Sequence, residues 1–303
     1  MRQLNALVKR NTKLFFKDKG MFFTSLITPV ILLVLYATFL SKIYRDTFAG
    51  AVPAVLQVPD SLIDGCVGGQ LISSILAVSC VTVAFCSNML MVQDKVTGSI
   101  HDLTISPVKS STLAMGYYFA TLISTLLVCY VAAAFCLGYV AMEGWYMSAG
   151  DVLCIVLDVF LLVMFGTALS SIIGYFLSTQ GQISAVGTIV SAGYGFICGA
   201  YMPISQFSEE LQKALSFLPG TYGTSLLRNH ALRGVYEEMR QQGFPEEVVE
   251  AIRDSIDCNL YFFGDKVEIS TMYLVLTVSV LVLIFVYIML NRLQPEKNAV
   301  KRA

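Results

Sequence analysis

The sequence predicts an all-α membrane protein, and three observations carry that prediction. Hydrophobic residues fill 56% of the 303 positions and charged residues only 14%, where a soluble domain carries about 25% charged residues. Burial does not explain the deficit, because even large soluble domains leave much of their surface in water. The apolar residues gather into runs of about twenty, the length that crosses a hydrocarbon core. Lysine and arginine collect at the two ends of the chain, as they do on the cytoplasmic side of membrane proteins.

The opening residues are basic but too polar to form the core of a cleavable signal peptide, and none is expected. Leu4, Leu7, Val8, Leu14 and Phe15 recur at near-helical spacing, with Lys9, Lys13 and Lys17 as an i, i+4 row on another face. Residues 1–20 therefore read as an amphipathic helix lying along the inner leaflet, its lysines near lipid phosphates, with Gly20 as its stop. The competing reading is a solvated basic tail.

Six apolar segments follow within residues 21–303. They run from about Met21 to Leu40, Gly69 to Val92, Leu113 to Met142, Val152 to Leu177, Ile183 to Tyr201 and Ser270 to Leu290. Arg2, Lys9, Arg10, Lys13, Lys17 and Lys19 precede the first, and Arg292, Lys297, Lys301 and Arg302 follow the last. An even number of spans puts both termini on one side, the cytoplasmic one, in a multi-pass protein of the cell membrane. The acid-rich stretch after the fifth span, with Glu246, Glu247, Glu250, Asp254 and Asp257, is then outside.

The loop between the second and third spans, residues 93–108, reads Gln93-Asp94-Lys95-Val96-Thr97-Gly98-Ser99-Ile100-His101-Asp102-Leu103-Thr104-Ile105-Ser106-Pro107-Val108. Gly98 permits a tight bend, and Pro107 holds Ser106 out of the helical region, so a short helix is expected to end near Ile105. The run resembles the signature of ABC-2 type transporter permeases: an acidic-basic pair, Gly-Thr, a leucine-rich turn and Ser-Pro. Ser99 stands where threonine is usual, and His101 and Asp102 depart from the common Glu-x-Leu. The resemblance implies a cytoplasmic coupling helix gripped by an ATPase, with Asp94, Lys95, Gly98, Ser99, His101, Asp102 and Leu103 as its residues. Without the resemblance the loop is an ordinary polar turn.

Gly187, Ser191, Gly195 and Gly199 recur every fourth residue in the fifth span. Such a small-residue stripe lets helix backbones approach closely in lipid, whether the neighbour is a second permease copy or another span of the same chain. Residues 202–268 follow. The first part, from Met202 to Gly234, is broken by Pro203, Pro219 and Gly220; it is too polar to span and too apolar for a free loop. A re-entrant helical hairpin on the outer side suits both constraints if its backbone is buried in protein. Here too the chain resembles ABC-2 permeases, through a proline-containing turn after the fifth span and the run Leu226-Leu227-Arg228 to Leu232 and Gly234. Pro245, Glu246 and Glu247 then open an amphipathic helix on which Val248, Val249, Ile252 and Ile256 share a face.

Asp158 lies inside the fourth span, where an acid marks a functional site by default, although it sits close enough to the outer boundary to reach water. Serines, threonines and Asn88 of the second span and tyrosines of the third suit helix packing or an amphipathic cargo's path, not an ion filter. The eight cysteines show no metal-binding spacing. Cys66 and Cys258 fall in polar stretches, as a disulfide or as two thiols. A net charge of −1 gives no reason to expect nucleic acid.

No GxxxxGK[ST] loop, HExxH or GxSxG motif occurs. The chain is therefore expected to be non-catalytic and to bind no cofactor itself. The resemblance implies a separate ABC ATPase, in two copies, holding ATP and Mg, and a second permease copy, identical or related. It also implies that the first and fifth spans face the cargo. Together these give an exporter of a lipophilic or amphipathic compound, of the multidrug or antimicrobial-peptide efflux type. An exporter of polysaccharide or glycolipid, a secondary transporter and a membrane scaffold are the alternatives.

Overall fold

The computed structural model describes residues 2–36, 38, 41–42, 44–46, 59–105 and 108–300. The chain is almost wholly helical. In order come α1 (Arg2–Lys17), α2 (Lys19–Leu35), α3 (Asp60–Val96), α4 (Ser99–Ile105), α5 (Ser110–Glu143), α6 (Ala149–Phe176) and α7 (Gln180–Ile197). A 3-10 turn at Ile204–Gln206, α8 (Glu209–Leu215), α9 (Pro219–Gln241) and α10 (Glu246–Ser255) follow. A two-residue hairpin, β1 (Tyr261–Phe262) and β2 (Asp265–Lys266), then leads into α11 (Ile269–Val300).

Four of these helices, α3, α5, α6 and α11, are each long and apolar enough to cross a membrane; α1 and α2, taken as one element bent by 75°, make a possible fifth. The protein is thus an all-α membrane protein, with four or five such elements among the described residues where the sequence suggested six. The fifth expected span does form a helix, α7, but Gln180, Gln182 and its glycines dilute its apolar character. The first expected span overlaps α2, but the break before it falls at the Asp18 cap, and Gly20, the expected stop, lies inside α2; residues 37, 39 and 40 of the span lie outside the described ones.

α3 is the hub. It packs against α2, α5, α6, α7 and α9, and its apolar window is 89% buried. Its small polar residues serve that packing: Ser73, Ser74, Ser79, Thr82, Ser87 and Asn88 are all buried. Ser73 and Thr82 donate to Gln70 and Val78 carbonyls of the same helix, and Asn88 reaches across to the Ser170 carbonyl of α6 at 2.7 Å. In contrast, α11 turns Leu274, Leu281, Val282 and Phe285 outward, the surface a lipid solvent wants.

α9 carries the polar segment expected to re-enter. Pro219 opens it at a position where a missing N–H costs nothing. Its polar side chains from Arg228 to His230 are buried and make cross-helix contacts. Arg228 donates to the Gly199 carbonyl and pairs with Asp257 at 3.5 Å, Asn229 donates to the Cys258 carbonyl, and His230 Nδ1 lies 2.6 Å from Asp158. Paired in this way, polar groups are tolerated in the interior. The helix runs on to Gln241, past the expected end at Gly234. At Gly234 a Cβ would collide with the Tyr146 carbonyl, so only glycine lets α9 lie against the α5–α6 loop. In α10, Val249 and Ile252 are buried, as is Ile256 just past its end. Cys66 and Cys258 are both buried free thiols.

Candidate coupling site

The last turn of α3 holds Asp94 and Lys95, and both point into the protein. Asp94 is 6% exposed, and a buried carboxylate needs charged or hydrogen-bonding partners. Its Oδ2 accepts from Arg10 Nη1 of α1 at 2.8 Å and from the Tyr117 hydroxyl of α5 at 2.6 Å. Arg10 Nη1 also donates to Asn11 Oδ1 at 2.7 Å, which holds the guanidinium in place. Lys95 Nζ points the other way. It donates to the carbonyls of Gly174 and Tyr175 at 2.9 and 2.8 Å and sits over the Tyr175 ring. A cation on the last carbonyls of α6 satisfies acceptors that no further turn can reach, and it meets the negative end of that helix dipole.

Two adjacent residues thus fasten one helix end to three neighbours, α1, α5 and α6. Immediately beyond, Thr97 and Gly98 close the helix through bonds to the Gln93 and Lys95 carbonyls. Gly98 has φ +80°, a conformation that costs other residues, and it sends the chain into α4. There Ile100 and Leu103 turn toward the core while Asp102 is exposed. The Ser99 hydroxyl shares a 3.0 Å bond with Thr97. The side chain of His101, and Ser106 and Pro107, lie outside the described residues. Arg10 and Tyr117 complete the site and were not singled out from the sequence for it. The signal for Arg10 was available: Asp94 ends an apolar run, and a buried acid calls for a cation.

The other expected site residues lie elsewhere. Asp158 is fully buried and has company: Oδ2 faces His230 Nδ1 of α9, and Oδ1 accepts from the Tyr273 hydroxyl of α11 at 2.6 Å. It does not reach water. The small-residue stripe is broken. α7 ends at Ile197, and Gly199 lies in the following turn with φ +74°. The other members meet different neighbours, Gly187 the Met89 side chain and Gly195 the Tyr201 ring. Ser191 borders an open groove of about 650 Å³ between α2 and α7, with Ile31, Leu35, Tyr36, Cys86 and Phe196. The Tyr36 hydroxyl bonds the Ala200 carbonyl at 3.0 Å.

A model of the ABC-2 type transporter family matches residues 2–231, from α1 into α9. The chain belongs to the ABC-2 type transporter family. It is the membrane permease component of an ABC system, and members of this family generally work with an ABC ATPase. Among curated proteins, none matches the chain. The match takes in α4 and every residue that ties it to the permease body, from Arg10 to Gly174 and Tyr175.

Proposed function

We propose that this permease belongs to an ATP-driven exporter that moves a lipophilic or amphipathic compound out of the cell. Two copies of a separate ATPase, each holding ATP and Mg, grip α4 on the cytoplasmic side, where both termini lie. Two permease copies, identical or related, enclose the path. One observation carries this reading: α4 follows directly on a helix end that Asp94 and Lys95 fasten to α1, α5 and α6. A push on α4 therefore moves four helices together. The exposed Asp102 is what an ATPase would hold; the buried pair is what passes the push on. The apolar groove between α2 and α7 suits a greasy cargo.

The test separates holding from passing on. The permease is expressed with its native ATPase, and association and ATP turnover are both read. Asp102→Ala is expected to weaken association about tenfold, the loss of one or two interface hydrogen bonds. Asp94→Asn is expected to keep association but to uncouple hydrolysis from movement of α2 against α7. If no ATPase co-purifies with the unaltered chain, the proposal fails.

A further inference from the structure

A second cavity, of about 540 Å³, opens on the opposite face of α7, between it and α11. Phe85, Phe165, Ile189 and Val282 make its walls apolar, and the first turn of α9 closes one end. Val278, Ser279, Val282 and Leu283 of α11 line it, roughly 14–21 Å along the helix from Ile269 at 1.5 Å per residue. That depth is hydrocarbon, not headgroup, so a phosphate-bearing lipid head is the wrong occupant.

The closed end is not apolar. Three hydroxyl side chains border the cavity: Tyr194, Thr221 and Ser279. Thr221 donates to the Leu215 carbonyl at 3.1 Å and Ser279 to the Val275 carbonyl at 2.7 Å. The Tyr194 hydroxyl is buried and has no partner, and Tyr194 as a whole is 8% exposed. It abuts Gly220, where a Cβ would strike it. Gly220 lies in the first turn of a 23-residue helix that no side chain caps, and Pro219 before it has no N–H. The N–H of Gly220 has no acceptor within the helix. A tyrosine O–H, buried against Gly220, and a helix N-terminal N–H thus lie side by side behind the end of an apolar cavity, two donors without an acceptor.

We propose that this groove binds a hydrocarbon-soluble molecule bearing a neutral acceptor, an ester or ketone carbonyl, which enters sideways from the bilayer. The acyl or ring portion lies along α11. A rotation of Tyr194 off Gly220 brings its hydroxyl, with the Gly220 N–H, onto the carbonyl oxygen. The cavity is large enough for a drug-sized ligand. It is separate from the α2–α7 groove, sharing none of that groove's lining residues, and it needs no assumption about the direction of transport.

The test uses the full chain in lipid nanodiscs and two photoreactive probes: methyl palmitate with a mid-chain diazirine, and hexadecane with the same group. Peptide mapping is expected to place the ester on α7 and α11 beside the cavity, labelling at least about fivefold more than the hydrocarbon. Tyr194→Phe is expected to bring the ester down to the hydrocarbon's level while leaving hexadecane labelling unchanged, which reports an intact groove. Val282→Trp should remove both. Equal labelling by the two probes, insensitive to Tyr194→Phe, would mean bulk lipid contact only and overturn the proposal. So would efficient cross-linking of Val282→Cys between two chains, because the groove would then be a permease–permease contact.

Discussion

Asp158 shows what a single acid in this chain accomplishes. Its two oxygens take one bond each, from α9 through His230 and from α11 through Tyr273. The residue therefore joins three helices that the sequence separates by 72 and 115 positions. Asp158→Asn keeps the shape but turns one acceptor into a donor, so either the imidazole must change tautomer and accept at Nδ1 or one of the two donors is left buried without a partner. The expected cost is about 1–3 kcal/mol, seen as a lower thermal midpoint in detergent. Tyr273→Phe leaves the buried Oδ1 of the carboxylate without its donor, so it should cost at least as much. If both substitutions leave the midpoint unchanged, the network is not holding the helices together. Asp94 follows the same logic at the other end of the bundle, with Arg10 and Tyr117 as partners.

At the scale of elements, the lobe formed by α10 and the hairpin outside the membrane-spanning helices depends on Glu250. Its carboxylate accepts from Lys266 at 2.8 Å, from Arg253 at 2.9 Å and from Asn259 at 2.9 Å. The Lys266 bond, with help from Asn259 and Arg253, holds its pKa below the usual glutamate value. A depressed folded pKa means stability that is present above the ordinary glutamate range and is lost as pH falls through the folded value. Amide exchange across residues 246–268 is therefore expected to accelerate as pH drops below about 4, after correction for the intrinsic rate. Glu250→Gln should flatten that dependence; an unchanged profile would remove Glu250 from the account. The elements themselves were largely legible in the sequence, because long apolar runs leave a chain few alternatives to membrane helices. α9 was legible only in part. Its polar residues read as a broken segment ending at Gly234, since Asp158, Gly199, Asp257 and Cys258, which satisfy them, lie far away in the sequence. The turn into α4 was visible from Gly98 and the polar run around it. That Asp94 and Lys95 face inward was not, because a polar residue at a helix end looks the same whether it meets water or an arginine 84 positions away.

For the whole molecule, the proposed mechanism raises the question of how a push on α4 would reach the groove between α2 and α7. The 37 residues of α3 make a rod of about 55 Å, tied at one end by Asp94 and Lys95 and packed along its length by five helices. Its end is tied by side chains to α5 and α6, so it moves with them. α2 and α7 are different. Their facing surfaces leave an open groove, and Ile27, Ile31 and Phe196 are largely exposed. The relative movement should concentrate there. Ala192 borders the groove and is exposed, whereas Leu153 on α6 is exposed and borders neither cavity. With the ATPase reconstituted and trapped by ATP and vanadate, alkylation of Ala192→Cys by a maleimide is expected to change at least threefold, a shift in groove population of under 1 kcal/mol. Leu153→Cys should label at the same rate in both states. Equal changes at the two positions would mean that the helices move as one body, and the groove would then be a fixed surface feature with no part in gating. Adding Asp94→Asn should abolish the change at Ala192→Cys without releasing the ATPase, since the force would still arrive at α4 and go no further.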